Sequence, residues 1–140
     1  MTRAGALLLV ASAGLLVVGL AGAGSPAPSE IAAGQEVYER CAACHSLDRD
    51  RVGPLHCGIF GRRAGSVPGF AYSEAMRASG IVWNRQTLNT FLADPLGTVP
   101  GTFMTYAGVQ DPEERAQLIA FLEVATRGPQ CEPVSMDSPP

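Results

Sequence analysis

Cys41-Ala42-Ala43-Cys44-His45 constrains this chain more than any other stretch. Positions i and i+3 on one helical turn face the same way. Cys41 and Cys44 can therefore reach the two vinyl groups on one edge of a porphyrin and form thioethers. Two thiols at this spacing, followed at once by an imidazole, read as a c-type haem attachment site. His45 then turns its ring under the macrocycle, where it can bind the iron as proximal ligand. Other readings of C-x-x-C fail. A zinc site needs four ligands, and no second C-x-x-C or H-x-H pair supplies them. A thioredoxin-like redox pair sits in a βαβ context, for which the chain offers no pattern.

The N-terminus says where such a site would operate. Met1-Thr2-Arg3 precedes an apolar run from Ala4 to Ala23 that ends on Ala21-Gly22-Ala23. One positive charge, an apolar stretch and a small-residue exit make residues 1–23 a signal peptide, cut after Ala23. A run of about 20 apolar residues also suffices to span a bilayer, so an uncleaved membrane anchor is the competing reading. Either way the domain is expected in an oxidising compartment, the periplasm, where spare thiols can pair. Cys57 and Cys131 are such a spare pair, and an even remainder points to a disulfide, with two free thiols as the alternative.

Residues 24–30 are rich in Ser, Pro and Gly and read as a flexible leader; residues 128–140 read as a Pro-rich C-terminal tail. The folded domain is then 31–127, a small body in which a haem would supply much of the apolar interior. The formal charge is −3. Losing Arg3 with the signal peptide leaves 9 basic against 13 acidic groups, or −4. Every basic residue is Arg, and no basic patch suits a phosphate backbone, so nucleic acid is excluded as a partner.

Periodicity predicts an amphipathic helix over 31–45, capped by Ser29 or Glu30, with Val37, Tyr38 and Cys41 on one face. Gly34 on that helix would let another helix approach closely. Residues 52–65 hold four glycines and a proline and read as a winding loop. Its order places a carbonyl near Pro54 where it can accept the second ring N–H of His45. A short helix follows over 73–79, capped by Ser73 and stopped by Gly80. Ile81-Val82-Trp83 is an extended link. A helix over 87–93 ends at Asp94-Pro95, and 96–100 is a loop. Asp111-Pro112-Glu113-Glu114 starts the last helix, which runs to about Thr126. The expectation is all-α: three main helices, with short helices and loops wrapped around one covalently bound haem.

The iron needs a second axial ligand or stays open. Met76 falls in a helix pattern typical of core packing. His56 lies eleven residues after His45, on the proximal side, and reads as a loop histidine. Met104 sits on a Pro-Gly-Thr loop between helices, where its side chain can be aimed at the opposite haem face.

These residues, in order, are similar to a known family. Cys41 to His45, Gly53-Pro54, Gly58-Ile59-Phe60-Gly61-Arg62, Pro68-Gly69-Phe70-Ala71-Tyr72-Ser73, Trp83, Pro100-Gly101-Thr102-x-Met104 and Glu113-Glu114-Arg115-x-x-Leu118-Ile119-Ala120-Phe121-Leu122 resemble class I c-type cytochromes. The resemblance is to the bacterial cytochrome c2 and mitochondrial cytochrome c subgroup. It implies the cytochrome c fold, with His45 and Met104 as axial ligands. It implies that Arg62, Tyr72 and Trp83 surround a haem propionate, and that Thr102 and Phe91 line the Met side. In the resembled fold Cys57 and Cys131 lie close, which favours the bridge. The chain departs from the family at Phe91, where Tyr is common, at Met76, where Asn is common, and at Phe103, where Lys is usual. The first two make the haem crevice less polar; the third removes part of the family's Lys docking ring.

The function implied is electron transport: a periplasmic monomer carrying one electron, and not an enzyme. Its redox partners would be a quinol-oxidising complex, a dehydrogenase, a terminal oxidase or a photosynthetic centre. Membrane contact follows only from an uncleaved leader. A haem sensor or peroxidase-like protein with a labile Met ligand is the alternative.

Overall fold

The structure is a computed structural model and describes residues 25–131. The expected signal peptide and residues 132–140 of the tail lie outside the described residues.

The first helix, α1, spans Pro28–Tyr38 and not 31–45. Pro28 opens it at the first turn, where a missing N–H costs nothing and the fixed φ suits the helix. The Glu30 carboxylate accepts the Ala27 N–H at 2.8 Å, so the acidic third position closes the first turn instead of a hydroxyl cap. Three residues expected in the flexible leader are thus helical. After Tyr38 the bonding tightens: Arg40 N–H donates to the Val37 carbonyl and Cys41 N–H to that of Tyr38. Three-residue spacing of this kind is how a helix closes into turns. The Cys41 carbonyl then accepts both the Cys44 N–H (3.0 Å) and the His45 N–H (2.9 Å), which keeps both thiols on one turn without a continuous helix.

The longest helix, α5, spans Pro112–Ala125. Asp111 accepts the N–H groups of Glu113 and Glu114 at 2.7 and 3.2 Å, the cap its sequence predicts. α1 and α5 cross with α1 backbone almost touching α5. A Cβ on Gly34 would stand 2.7 Å from Phe121 Cβ and closer still to the Gln117 carbonyl oxygen. Only glycine permits that approach. The crossing buries Val37 and Tyr38 against Leu118, Phe121 and Leu122, and Leu118 is wholly sealed from solvent.

The remaining helices sit on the other side of this crossing. α2 (Glu74–Ala78) is capped by Ser73, whose hydroxyl accepts the Met76 N–H at 3.1 Å. α3 (Arg85–Ala93) starts two residues earlier than expected, because Asn84 and Thr87 exchange reciprocal capping bonds, each 2.9 Å. The loop expected over 96–100 is partly a single helical turn, α4 (Pro95–Thr98): Asp94 accepts the Gly97 N–H at 2.9 Å and Pro95 leads the turn. Among the described residues the one strand-like pairing is an isolated antiparallel bridge between Arg63 and Val82. The described residues are therefore all-α, as expected.

A 3-10 turn, Pro129–Cys131, carries the chain back beneath the loop after His45. Cys57 and Cys131 are joined there, their Cα atoms 5.2 Å apart across 74 positions of sequence. Beside them the Gly58 N–H donates to the Thr126 carbonyl at 3.0 Å. Part of the expected free tail is thereby tied down.

Candidate haem cleft

The loop over 51–57 is built around the C-x-x-C-H turn. Arg51 donates to the Ala42 carbonyl (2.5 Å), Gly53 N–H to that of Cys44 (2.8 Å) and Cys57 N–H to that of Leu47 (2.7 Å). This winding brings Pro54 under His45, whose Nδ1–H donates to the Pro54 carbonyl at 2.8 Å. A carbonyl can only accept, so the proton sits on Nδ1 and Nε2 keeps its lone pair. Burial pushes the His45 pKa down, which keeps the ring neutral and a competent ligand, although the Pro54 bond opposes the shift. Gly53 presses on the same ring. A Cβ there would stand 2.6 Å from both ring nitrogens and closer still to Cε1.

Cys41, Cys44, His45, Met104, Arg62, Tyr72 and Trp83 all line one cleft. Cys41 is half-buried and Cys44 exposed, and neither is in a disulfide. Burial raises the Cys41 thiol to about 11. The walls are apolar, with buried Ile59, Met76, Leu88, Phe91, Leu118 and Leu122 among them. Met104 lines the same cleft, after a turn in which Gly101 takes φ +93°. The Met104 N–H donates to the buried Thr102 hydroxyl at 3.2 Å. Trp83 is buried against Phe91, with ring centroids 5.1 Å apart. Tyr72 packs edge-on to Phe70 at 4.8 Å, and burial raises its hydroxyl above the usual range.

Arg62 is half-buried and donates to the carbonyls of Cys57 (2.7 Å) and Leu55 (2.8 Å). It thus staples the loop under His45. Among the described residues it belongs to no ion pair, since the pairs are Arg40–Glu114, Arg49–Asp48 and Arg85–Glu123. Burial lowers its pKa, against the pull of Tyr72 and Asp50. A half-buried cation without a bonded carboxylate suits an acidic group entering the cleft. Paired thiols, a neutral imidazole with a free Nε2, a thioether, apolar walls and this cation together fit a haem c. Among the described residues no three His, Cys, Asp or Glu side chains gather as ligands for a bare metal ion.

His56 is the residue that sequence reasoning undervalued. Its ring stacks on His45, with centroids 4.3 Å apart and planes 22° apart. Its Nδ1 is hydrogen-bonded to the Tyr38 hydroxyl at 3.1 Å. Burial, then the neighbouring His45 and Arg62, hold its pKa well below the usual histidine range. No local signal marks it: His56 follows Pro54 by two residues, but only the folded loop brings it against the same ring. At the mouth of the cleft Val52 is 80% exposed and Phe103 is 74% exposed, so the rim is apolar.

Known proteins agree with this geometry. The cytochrome c family pattern matches residues 31–125. Cytochrome c2 of Blastochloris viridis is 40% identical over 108 residues, covering 74% of this chain and 85% of that protein. Cytochrome c2 of Rhodoplanes tepidamans is 41% identical over 96 residues, covering 66% and 90%. Among solved structures, cytochrome cH from Methylobacterium extorquens superposes with a TM-score of 0.65 at 39% identity, covering 66% of this chain and 96% of that one. The chain belongs to the cytochrome c family, with Cys41 and Cys44 as the thiols that bind its one covalent haem c.

Proposed function

We propose that this protein is an exported one-electron carrier whose haem iron is bound by His45 and Met104. The observation that carries this reading is that both side chains line the same apolar cleft as Cys41 and Cys44. The bound haem c supplies an iron that changes charge by one unit without exchanging atoms. The chain's own residues tune that change. His45 offers Nε2, because its other nitrogen is committed to Pro54. Met104 offers a soft, neutral sulfur, which favours ferrous iron and raises the potential. With His45 and Met104 both committed to the iron, the cleft would leave no ligand site for a substrate.

Arg62 balances propionate charge with N–H groups left over from its two loop contacts. Tyr72 and Trp83 bring a hydroxyl and an indole N–H on apolar bodies, so they can face the propionates while excluding water. Phe91 and Met76 line the cleft without the hydroxyl or amide that the family commonly has there, which lowers its polarity. Residues 1–23 direct the chain to the periplasm. There a monomer would meet a quinol-oxidising complex, dehydrogenase, terminal oxidase or photosynthetic centre through a brief contact, below about 1,200 Å².

Carbon monoxide added to the reduced holoprotein tests the ligand set. No uptake, together with a sulfur-to-iron charge-transfer band in the oxidised form, is the expected result. Ready uptake at neutral pH overturns it in favour of a sensor or peroxidase-like protein with a displaceable Met104. The mass of the mature protein decides whether residues 1–23 are removed.

A further inference from the structure

His56 has no task in the role proposed above, yet its placement is specific. It lines the cleft, stacks on the His45 ring and is hydrogen-bonded through Nδ1 to Tyr38. Its Nε2 makes no hydrogen bond among the described residues. A leucine would fill similar space without presenting a flat ring to His45 or a partner to the Tyr38 hydroxyl. Tyr38, which holds His56, is itself fixed. Its ring rests on Phe121 of α5, with centroids 5.2 Å apart, at the crossing that Gly34 makes possible. A continuous series of ring contacts therefore runs from α5 through Tyr38 and His56 to His45.

We propose that His56, held by Tyr38, is a positioning residue that fixes the plane of the His45 ring and, through it, the electronic asymmetry of the iron. This rests on the reading of His45 as an iron ligand. The Pro54 bond pins one edge of the ring, and Gly53 limits where the ring can move. Neither presents a flat partner, and a planar, hydrogen-bonded imidazole against the ring resists tilt in a way a flexible aliphatic chain does not. The plane matters because an axial imidazole interacts unequally with the two iron orbitals of π symmetry. The ring orientation then contributes, together with the Met104 sulfur, to where unpaired spin falls on the oxidised haem. The helix crossing would thus set an electronic property of the cofactor through side chains that do not bind it.

Proton NMR of the ferric holoprotein tests this, because the shifted haem methyl resonances report spin distribution and not stability. His56→Leu is expected to change the spread and order of those resonances. Tyr38→Phe, which keeps the ring on Phe121 but removes the hydroxyl, is expected to move them less. In the His56→Leu background, Tyr38→Phe is expected to add nothing further. His56→Phe, which restores a flat ring without the hydrogen bond, is expected to recover part of the parent pattern. An unchanged methyl pattern in His56→Leu overturns the proposal, as does an equal Tyr38→Phe shift in both backgrounds. If His56→Leu fails to yield holoprotein, Tyr38→Phe decides alone: an unchanged pattern overturns the role. The parent spectrum separates the two readings. A ferric parent without low-spin iron defeats the His45 and Met104 ligand set, whereas a low-spin parent with unresponsive variants defeats only the role of His56.

Discussion

The two sides of the cleft are built to different standards of rigidity. Under His45, backbone and side-chain bonds from Arg51, Gly53, Pro54 and Arg62 converge within a few residues, and the Cys57–Cys131 link ties that loop to the end of the chain. Around Met104, the backbone of residues 103–108 donates one hydrogen bond among the described residues, from Met104 to Thr102. The stretch then rejoins the body where Val109 N–H meets the Leu92 carbonyl at 2.7 Å. Segments with few buried contacts and few internal bonds open first. The imidazole side is over-determined and the thioether side is held by few bonds, so, on the ligand set proposed above, perturbing the iron's surroundings should release Met104 before His45.

Removing the covalent tie should have the largest effect on this contrast. The paired substitution Cys57→Ser and Cys131→Ser frees a loop of about 75 residues and should cost about 4 kcal/mol on the chain-entropy account. Denaturant unfolding of the oxidised parent and the double variant measures it. A difference near zero would mean the proximal loop stands without the link.

Gly53→Ala should come next, at about 3 kcal/mol, because its methyl group would overlap the His45 ring. The ferric spectrum should show disturbed axial ligation while the Met104 loop is untouched. If the variant keeps the parent spectrum and stability, the close approach of Gly53 is not restrictive.

On the other side, Thr102→Val should cost about 1 kcal/mol by removing the acceptor for the Met104 N–H. Its larger signature should be easier displacement of Met104 by added imidazole. Unchanged imidazole affinity would show that the loop is held by packing alone.

The smallest effect is a pH dependence. Burial raises the Tyr38 hydroxyl from 10.0 to about 12, with Cys41 and Asp48 adding to the shift. The folded state therefore keeps a proton that the unfolded state releases near pH 10. The contribution is complete below pH 10 and is lost as pH rises toward 12. Tyr38→Phe should flatten the decline of stability across that window, with little change at neutral pH. Parallel declines for parent and variant would assign the alkaline loss to another group.

Much of the cleft was legible because its signals are local. The C-x-x-C-H turn, the Pro-Gly-Thr approach to Met104 and the Asp111 cap each lie within a few consecutive residues. The Pro54 carbonyl was suggested by the order of the loop alone, and the folded loop brings it to His45 Nδ1 at 2.8 Å. Helix ends were less legible. α1 starts at Pro28 because Glu30 closes its first turn, and Asn84 begins α3 through a reciprocal bond with Thr87, both short-range effects that apolar periodicity does not register. His56 was the main omission. In sequence it is one polar residue in a glycine-rich loop, and nothing nearby marks it as buried.

The amino-acid sequence by itself determined the chemistry of this protein: two thiols and an imidazole at haem-attachment spacing, a thioether after a Pro-Gly-Thr turn, and caps that place the helices. Covalent spacing and backbone preference act over a few residues, so they can be read in one dimension. The tertiary structure alone decided which rings stack. Tyr38 and His56 lie 18 positions apart, and Tyr38 meets Phe121 only because Gly34 lets α1 and α5 touch. Such contacts depend on how whole elements pack, and that packing joins the far helix to the plane of His45.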